Sequence, residues 1–242
     1  MIYLSNRQIL FVFCFFVSLN INSQIKVFGF SDIGENNVSN GLFLKTSGFG
    51  SYQFNKFTIK AGIQIDIISQ SSNHLTGSSF SFSRKFTIKN FAFDVAAFYM
   101  YNPYSELIHE TNWGLVLEKK TKHFIIKAGT NFRTYKITNK AIDLYNIEGN
   151  TKVHENWNVM YLLQYNLKPS DNNWNIGASI TNIDYFVINQ ETNPVFFLQG
   201  KYKFKAPLSL FVETWYKSAG SFNISVNYFG YFIRTGLVWE IK

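Results

Sequence analysis

Apolar and polar residues alternate with a period of two for about 10–14 residues at a stretch, and this limits what the chain can fold into more than any other feature. From 57 to 67 the odd positions are Phe57, Ile59, Ala61, Ile63, Ile65 and Ile67, set against Thr58, Lys60, Gly62, Gln64 and Asp66. From 208 to 217, Leu208, Leu210, Val212, Thr214 and Tyr216 alternate with Ser209, Phe211, Glu213, Trp215 and Lys217. The same pattern runs through 157–167 and 231–241. Side chains on a strand point to opposite faces in turn, so each stretch has one apolar and one more polar face. A helix would put Lys60 and Gln64 on the face of Phe57, and β-branched residues are too frequent for it. Strands of soluble proteins mostly run about 5–6 residues, whereas a tilted strand crossing a bilayer needs about 9–11.

The chain opens differently. Arg7 is the only charge in the first 23 residues, and Ile9–Leu19 is apolar except for Ser18. That run is too short to cross a membrane as a helix, and it reads as a secretory signal over 1–23 that is cleaved near Ser23. Cys14, the single cysteine, lies inside it, so a mature chain of 24–242 has neither a disulfide nor a thiolate metal site. Phe, Tyr and Trp make up 19% of the chain and charged residues only 16%, and no later run is apolar enough to be a membrane helix. An exported, aromatic-rich chain that interleaves apolar and polar residues this finely predicts an all-β fold, a transmembrane antiparallel up-and-down β-barrel.

Turn signals divide the chain into twelve strands, near 25–34, 40–54, 57–69, 77–88, 91–101, 111–120, 123–135, 152–167, 174–187, 194–204, 207–217 and 228–241. Short turns such as Asn55-Lys56, Lys89-Asn90 and Thr121-Lys122 alternate with longer polar connections, as periplasmic turns and extracellular loops do in such barrels. Ten or fourteen strands remain open, because the loop at 136–151 has room for a hairpin and the first strand alternates poorly. Aromatics gather near strand ends on the outward face: Phe57, Trp113, Phe124, Trp157, Tyr165, Trp174, Tyr231 and Trp239. These predict the two aromatic girdles at the membrane interfaces. A soluble sandwich or lipocalin-like barrel would have to crowd all of these rings into one interior.

The signal ending before Gln24, the aromatic alternation and the last strand YFIRTGLVWEIK resemble the small outer-membrane β-barrel proteins of Bacteroidetes-type Gram-negative bacteria. The resemblance covers the whole mature chain as a shared grammar, without a diagnostic motif. Lys242 stands where proteobacterial barrels commonly end in an aromatic. The resemblance implies outer-membrane lipid and the barrel assembly machinery as partners.

For chemistry the sequence offers little. His74, His109, His123 and His154 sit in the contexts HLT, HET, HFI and HEN, with no HExxH and no close pair, so neither a metal site nor a cofactor is expected. Outer-membrane phospholipases resemble this size and strand number, but they need a serine activated by a histidine, and no His-x-Ser occurs. A lipid hydrolase is therefore the third reading, and an enzyme is not expected. The charge is more informative. The formal +8 becomes +7 without Arg7. In the strand phase Lys60, Gln64, Asp66, Lys127, Asn131, Arg133, Lys201, Lys203, Glu213 and Arg234 face inward as candidate lumen-lining residues. This predicts a narrow passive channel whose lumen favours small anionic solutes. The alternative is a plugged interior in which the charges pair, leaving a structural, adhesive or partner-binding barrel that acts through its loops. Nucleic acid is not expected as a partner, because the basic residues are dispersed by the alternation.

Overall fold

The computed structural model of the chain describes residues 23–36, 41–68, 74–103, 107–167, 173–205, 207–217 and 229–241. The expected signal, apart from its last residue, lies outside the described residues, as do several loop tips. The strands are β1 (Ser23–Asn36), β2 (Gly41–Phe54), β3 (Phe57–Asp66), β4 (Leu75–Ile88), β5 (Phe91–Asn102) and β6 (Ile108–Lys120). They continue as β7 (Phe124–Ile137), β8 (Lys152–Asn166), β9 (Trp174–Thr181), β10 (Val195–Lys203), β11 (Leu208–Lys217) and β12 (Phe229–Ile241). Each strand pairs antiparallel with its neighbours in sequence, and β1 pairs with β12, closing a twelve-stranded barrel.

The predicted turns fall where the polar dipeptides stand. Phe54 pairs with Phe57 across Asn55-Lys56, and Ile88 with Phe91 across Lys89-Asn90. Asn55 and Lys89 adopt φ of 52° and 53°, the left-handed conformation that a two-residue hairpin needs at its first position. At Thr121 the hydroxyl accepts from the Phe124 amide at 2.9 Å, which ends β6 and starts β7. The loop after β7 contains a helix and no hairpin: α1 spans Asn139–Tyr145, capped by the Thr138 side chain on the Ala141 amide and by Asn146 at φ 47°. The strand count therefore stays at twelve.

The two faces of the wall separate by residue parity. In β11 Phe211, Glu213, Trp215 and Lys217 are buried while Leu210, Val212 and Tyr216 are exposed. Elsewhere the outward wall exposes Ile63, Leu115, Leu117, Leu198 and Leu237, an apolar band fit for lipid. The outward aromatics form ladders at its edges. Phe57 stacks on Phe82, and Phe124 packs tilted on Tyr165 and Trp174 on Tyr202, toward the periplasmic turns. Toward the other edge Trp113 stacks on Phe132 and Trp157 packs tilted against it, with centroids 4.4 and 4.8 Å apart, and Tyr231 lies exposed near the start of β12. Trp157 reaches this ladder through φ 60°, at the bulge where the β7–β8 register shifts.

One expected strand is wrong in extent. β9 stops at Thr181 and does not reach 187. Continued in register, its outward positions Trp174, Ile176, Ala178 and Ile180 would be followed by Asn182 and Asp184, which would put a carboxylate in lipid. The chain instead turns inward. β8 then lacks a neighbour above Leu162, and Asn182 takes the place of the missing strand. Its Oδ1 accepts from the Tyr161 amide at 2.8 Å, and its Nδ2 donates to the Val159 carbonyl at 2.7 Å. The amide side chain satisfies a β edge as a peptide group would.

Candidate functional site

Residues 182–194 leave the wall between β9 and β10 and cross the lumen as a tight hairpin. Ile183 bridges Ile188, and the Asp184 amide donates to the Val187 carbonyl at 2.8 Å. The run Tyr185-Phe-Val-Ile188 is apolar without alternation because both of its sides are covered inside the barrel. Tyr185 packs on Phe28, Phe30 and Phe49 at 5.2–5.4 Å, and Phe186 lies 4.9 Å from Phe49. On the other side Ile188 packs with Phe98, Met100 and Met160. Asn102 of β5 donates to the Phe186 carbonyl at 2.8 Å, and Arg133 of β7 donates to that of Ile188. The hairpin thus touches β1, β2, β5, β7, β8 and β12, and it narrows the lumen across its whole width.

Arg234 is the main clasp. It is fully buried, and its guanidinium grips Asp32 (Nε to Oδ1, 2.7 Å; Nη2 to Oδ2, 3.0 Å) and the hairpin's Asp184 (2.8 and 2.9 Å). Glu213 stands 3.7 Å away and is itself held by Gln199 and the Trp215 indole N–H. The guanidinium lies 4.2 Å from the centroid of Phe30 and 4.9 Å from that of Trp215. Planar geometry and weak hydration suit arginine to such a stacked, doubly bidentate position. Arg133 forms the second clasp. It bonds Glu155 at 3.1 Å and Asn112 at 3.2 Å, with Glu110 at 3.8 Å, and Asn131 donates to Asn112 at 2.8 Å. Gln64 bridges Asp32 and Ser47 at 3.4 and 3.1 Å.

The remaining expected lining residues lie elsewhere. Asp66 ends β3, where its carboxylate accepts from the Ile68 amide at 3.2 Å. Lys127 pairs with Glu118 at 2.9 Å, a carboxylate shared with Lys120 at 2.6 Å. Lys60 has its ammonium 4.7 Å from the Tyr185 ring and 4.9 Å from that of Phe28. Lys201 and Lys203 close the inward face of β10 at its periplasmic end. The expected set therefore splits into Gln64, Asn131, Arg133, Glu213 and Arg234 around the hairpin, Asp66 at the upper end of β3, and Lys60, Lys127, Lys201 and Lys203 below the hairpin.

This split is also a split of charge. Among the described residues, the inward groups within four residues of a periplasmic strand end are Lys26, Lys60, Lys85, Lys120, Lys127, Lys201 and Lys203, with Asp94, Glu118 and Glu240. Seven lysines face three carboxylates there. Around and above the hairpin, Lys45, Arg133, Lys217 and Arg234 face six carboxylates: Asp32, Asp66, Glu110, Glu155, Asp184 and Glu213. The lumen is basic toward the periplasm and acidic at its constriction.

Sequence reasoning missed Asp32, Glu110, Glu155, Asp184 and the whole hairpin. The rim histidines bond neighbouring hydroxyls: His109 Nδ1 lies 3.1 Å from the Tyr101 hydroxyl and His154 Nδ1 3.0 Å from that of Thr134.

No protein-family model matches the chain, and no curated protein matches it. Solved structures do. The KdgM porin superposes with a TM-score of 0.54 at 10% identity, over 90% of this chain and 99% of that one. The same porin in complex with disordered oligogalacturonate gives 0.51 at 11% identity, over 90% and 99%. The COG4313 outer membrane channel from Pseudomonas putida F1 gives 0.52 at 11% identity, over 93% and 97%. At such identities the likeness is one of fold, and the chain has the fold of a small outer-membrane β-barrel like these porins and channels.

Proposed function

We propose that the protein is a narrow passive channel of the outer membrane for small solutes, leaning toward anions, with the 182–194 hairpin as its constriction. The observation that carries this reading is the lining of the lumen. Below the hairpin, inward positions of β1, β3, β6, β7 and β10 bear lysines, side chains that suit a water-filled path better than a sealed core. The periplasmic excess of lysine favours anions, and a porin of this fold has been solved with oligogalacturonate, an oligomer of a carboxylate-bearing sugar. In this reading Lys60, Lys127, Lys201 and Lys203 set the field along the path, while Arg133 and Arg234 hold the constriction. The chain is exported by a leader cleaved near Ser23, folded by the barrel assembly machinery and seated in lipid by its aromatic girdles. Transport, not catalysis, is its activity, and the strand grammar points to a Bacteroidetes-type source.

The second reading, a non-conducting barrel working through its loops, draws on the rings packed around the hairpin, where Phe28, Phe30, Phe49, Phe186 and Phe211 form one buried cluster. Single-channel recording in planar bilayers decides between the two. Small discrete steps with an anion-selective reversal potential are expected. Folded, heat-modifiable protein that never conducts would overturn the channel and leave the structural barrel.

A further inference from the structure

The hairpin divides the lumen into two compartments of opposite sign, and the periplasmic one has the makings of a binding site. Lys60, Lys127 and Lys120 converge there from β3, β6 and β7, and Lys26, Lys201 and Lys203 from β1 and β10. Lys60 lies within electrostatic reach of Lys26, Lys120, Lys127 and Glu118, and Lys201 of Lys26, Lys203 and Glu240, so these form one cluster in which lysines outnumber the two carboxylates, Glu118 bonded to Lys120 and Lys127 and Glu240 to Lys26. Among the described residues, Lys60, Lys201 and Lys203 have no carboxylate within ion-pair distance. The floor is aromatic: Lys60 lies over the rings of Phe28, Phe49 and Tyr185 at 4.7–5.3 Å, and the Tyr185 hydroxyl has no hydrogen-bond partner among the described residues.

Repulsion among several lysines held in one mouth is relieved by a ligand that carries several negative charges. A monovalent ion neutralises only one of them. Repulsion by the acidic constriction above grows with the charge of the solute, so a small monovalent anion passes while a ligand of several charges is held below the hairpin and reached from the periplasmic mouth.

We propose that the periplasmic vestibule is a binding site for a small oligoanion, a solute bearing three or more carboxylates or phosphates, and that it is accessible from the periplasmic side. This rests on the channel reading only for its electrical test, because binding itself needs no conduction.

The experiment uses the full mature barrel in detergent and two probes, propane-1,2,3-tricarboxylate and tripolyphosphate, titrated by calorimetry against acetate and monophosphate. At least one trivalent probe is expected to bind ten times or more tighter than its monovalent counterpart. Whichever binds tighter identifies the headgroup as carboxylate or phosphate. Combined Lys60→Gln, Lys127→Gln and Lys201→Gln substitution should weaken it about tenfold or more. Lys119→Gln removes one lysine charge from the outward wall, where Lys119 lies over Phe91, and should leave binding unchanged. Heat-modifiable migration of each variant verifies that it is folded. No preference for the trivalent probes, or equal binding by the triple variant, overturns the proposal. In planar bilayers the probe should reduce current when added on the periplasmic side at concentrations that have no effect from the other side. Equal block from both sides, or block from the extracellular side alone, also overturns it. Absence of conductance with binding intact refutes the channel and leaves the site standing.

Discussion

Replacing Asp184 with asparagine tests whether the hairpin is held by the Arg234 clasp. Asp184 gives Arg234 two charge-assisted bonds, of 2.8 and 2.9 Å. Such bonds contribute about 1.5–3 kcal/mol each, against about 1 kcal/mol for a neutral one. An asparagine oxygen keeps one bond to the charged guanidinium, while its NH2 faces the guanidinium and accepts nothing, so about one charge-assisted bond is lost. The net loss is about 2–3 kcal/mol, and it falls on docking, because Asp184 belongs to the hairpin while Arg234 keeps Asp32 and Glu213 on the wall. Arg234 is thus not left as an uncompensated buried charge, which would cost about 3–5 kcal/mol. A shift of 2–3 kcal/mol raises the undocked population roughly 30- to 150-fold. Amide hydrogen exchange at residues 183–188 should accelerate by that factor, and single-channel records should show larger or noisier currents. The heat-modification midpoint should stay within a few degrees of the wild type. Unchanged exchange at 183–188 together with unchanged current would refute the clasp as the element that holds the constriction.

Two further substitutions probe the wall beside the hairpin. Asn182→Ala removes three side-chain bonds, to the Tyr161 amide and to the Val159 and Asn189 carbonyls, and leaves the edge of β8 open. A destabilisation of about 2–3 kcal/mol is expected, read as a lower heat-modification midpoint, and an unchanged midpoint would mean that water satisfies that edge equally well. Gly62→Val should disturb the hairpin from the opposite wall, because a Cβ at Gly62 would lie 2.2 Å from the Phe49 ring, which itself stacks beneath Tyr185 and Phe186. The variant should still form a heat-modifiable barrel while Tyr185 becomes accessible to iodination. Protection equal to wild type would show that Phe49 relocates without consequence for the hairpin.

The barrel was legible because lipid on one side and water on the other impose a strict parity, and in β3, β7 and β11 that parity is nearly unbroken. The recurring Ile-Lys-Ala-Gly of 59–62 and 126–129 follows from it, with lysine and glycine inside and isoleucine and alanine outside. Asp32 escaped notice because both faces of β1 carry apolar residues, with Ile25, Val27 and Ile33 on the outward one. Phe28 and Phe30 face the lumen there, so the strand looks apolar on either face. The inward hairpin was missed for a related reason. Its pattern continues that of β9 up to Ile180, and only the succession Thr181-Asn182 followed by Asp184 signals the departure. Partners such as Asp184 and Arg234, 50 residues apart, come from closure of the barrel, and local patterning does not encode that distance.

The Arg234–Asp32 pair joins the first and last strands, 202 residues apart. The last strand is made last, so the two halves of the hairpin's receptacle do not exist together until the seam has zipped. Asp184 meets a complete socket only in a finished barrel. Narrowing of the lumen is thereby a product of successful assembly, and an unsealed barrel is left with a wider throat that distinguishes it from a mature one.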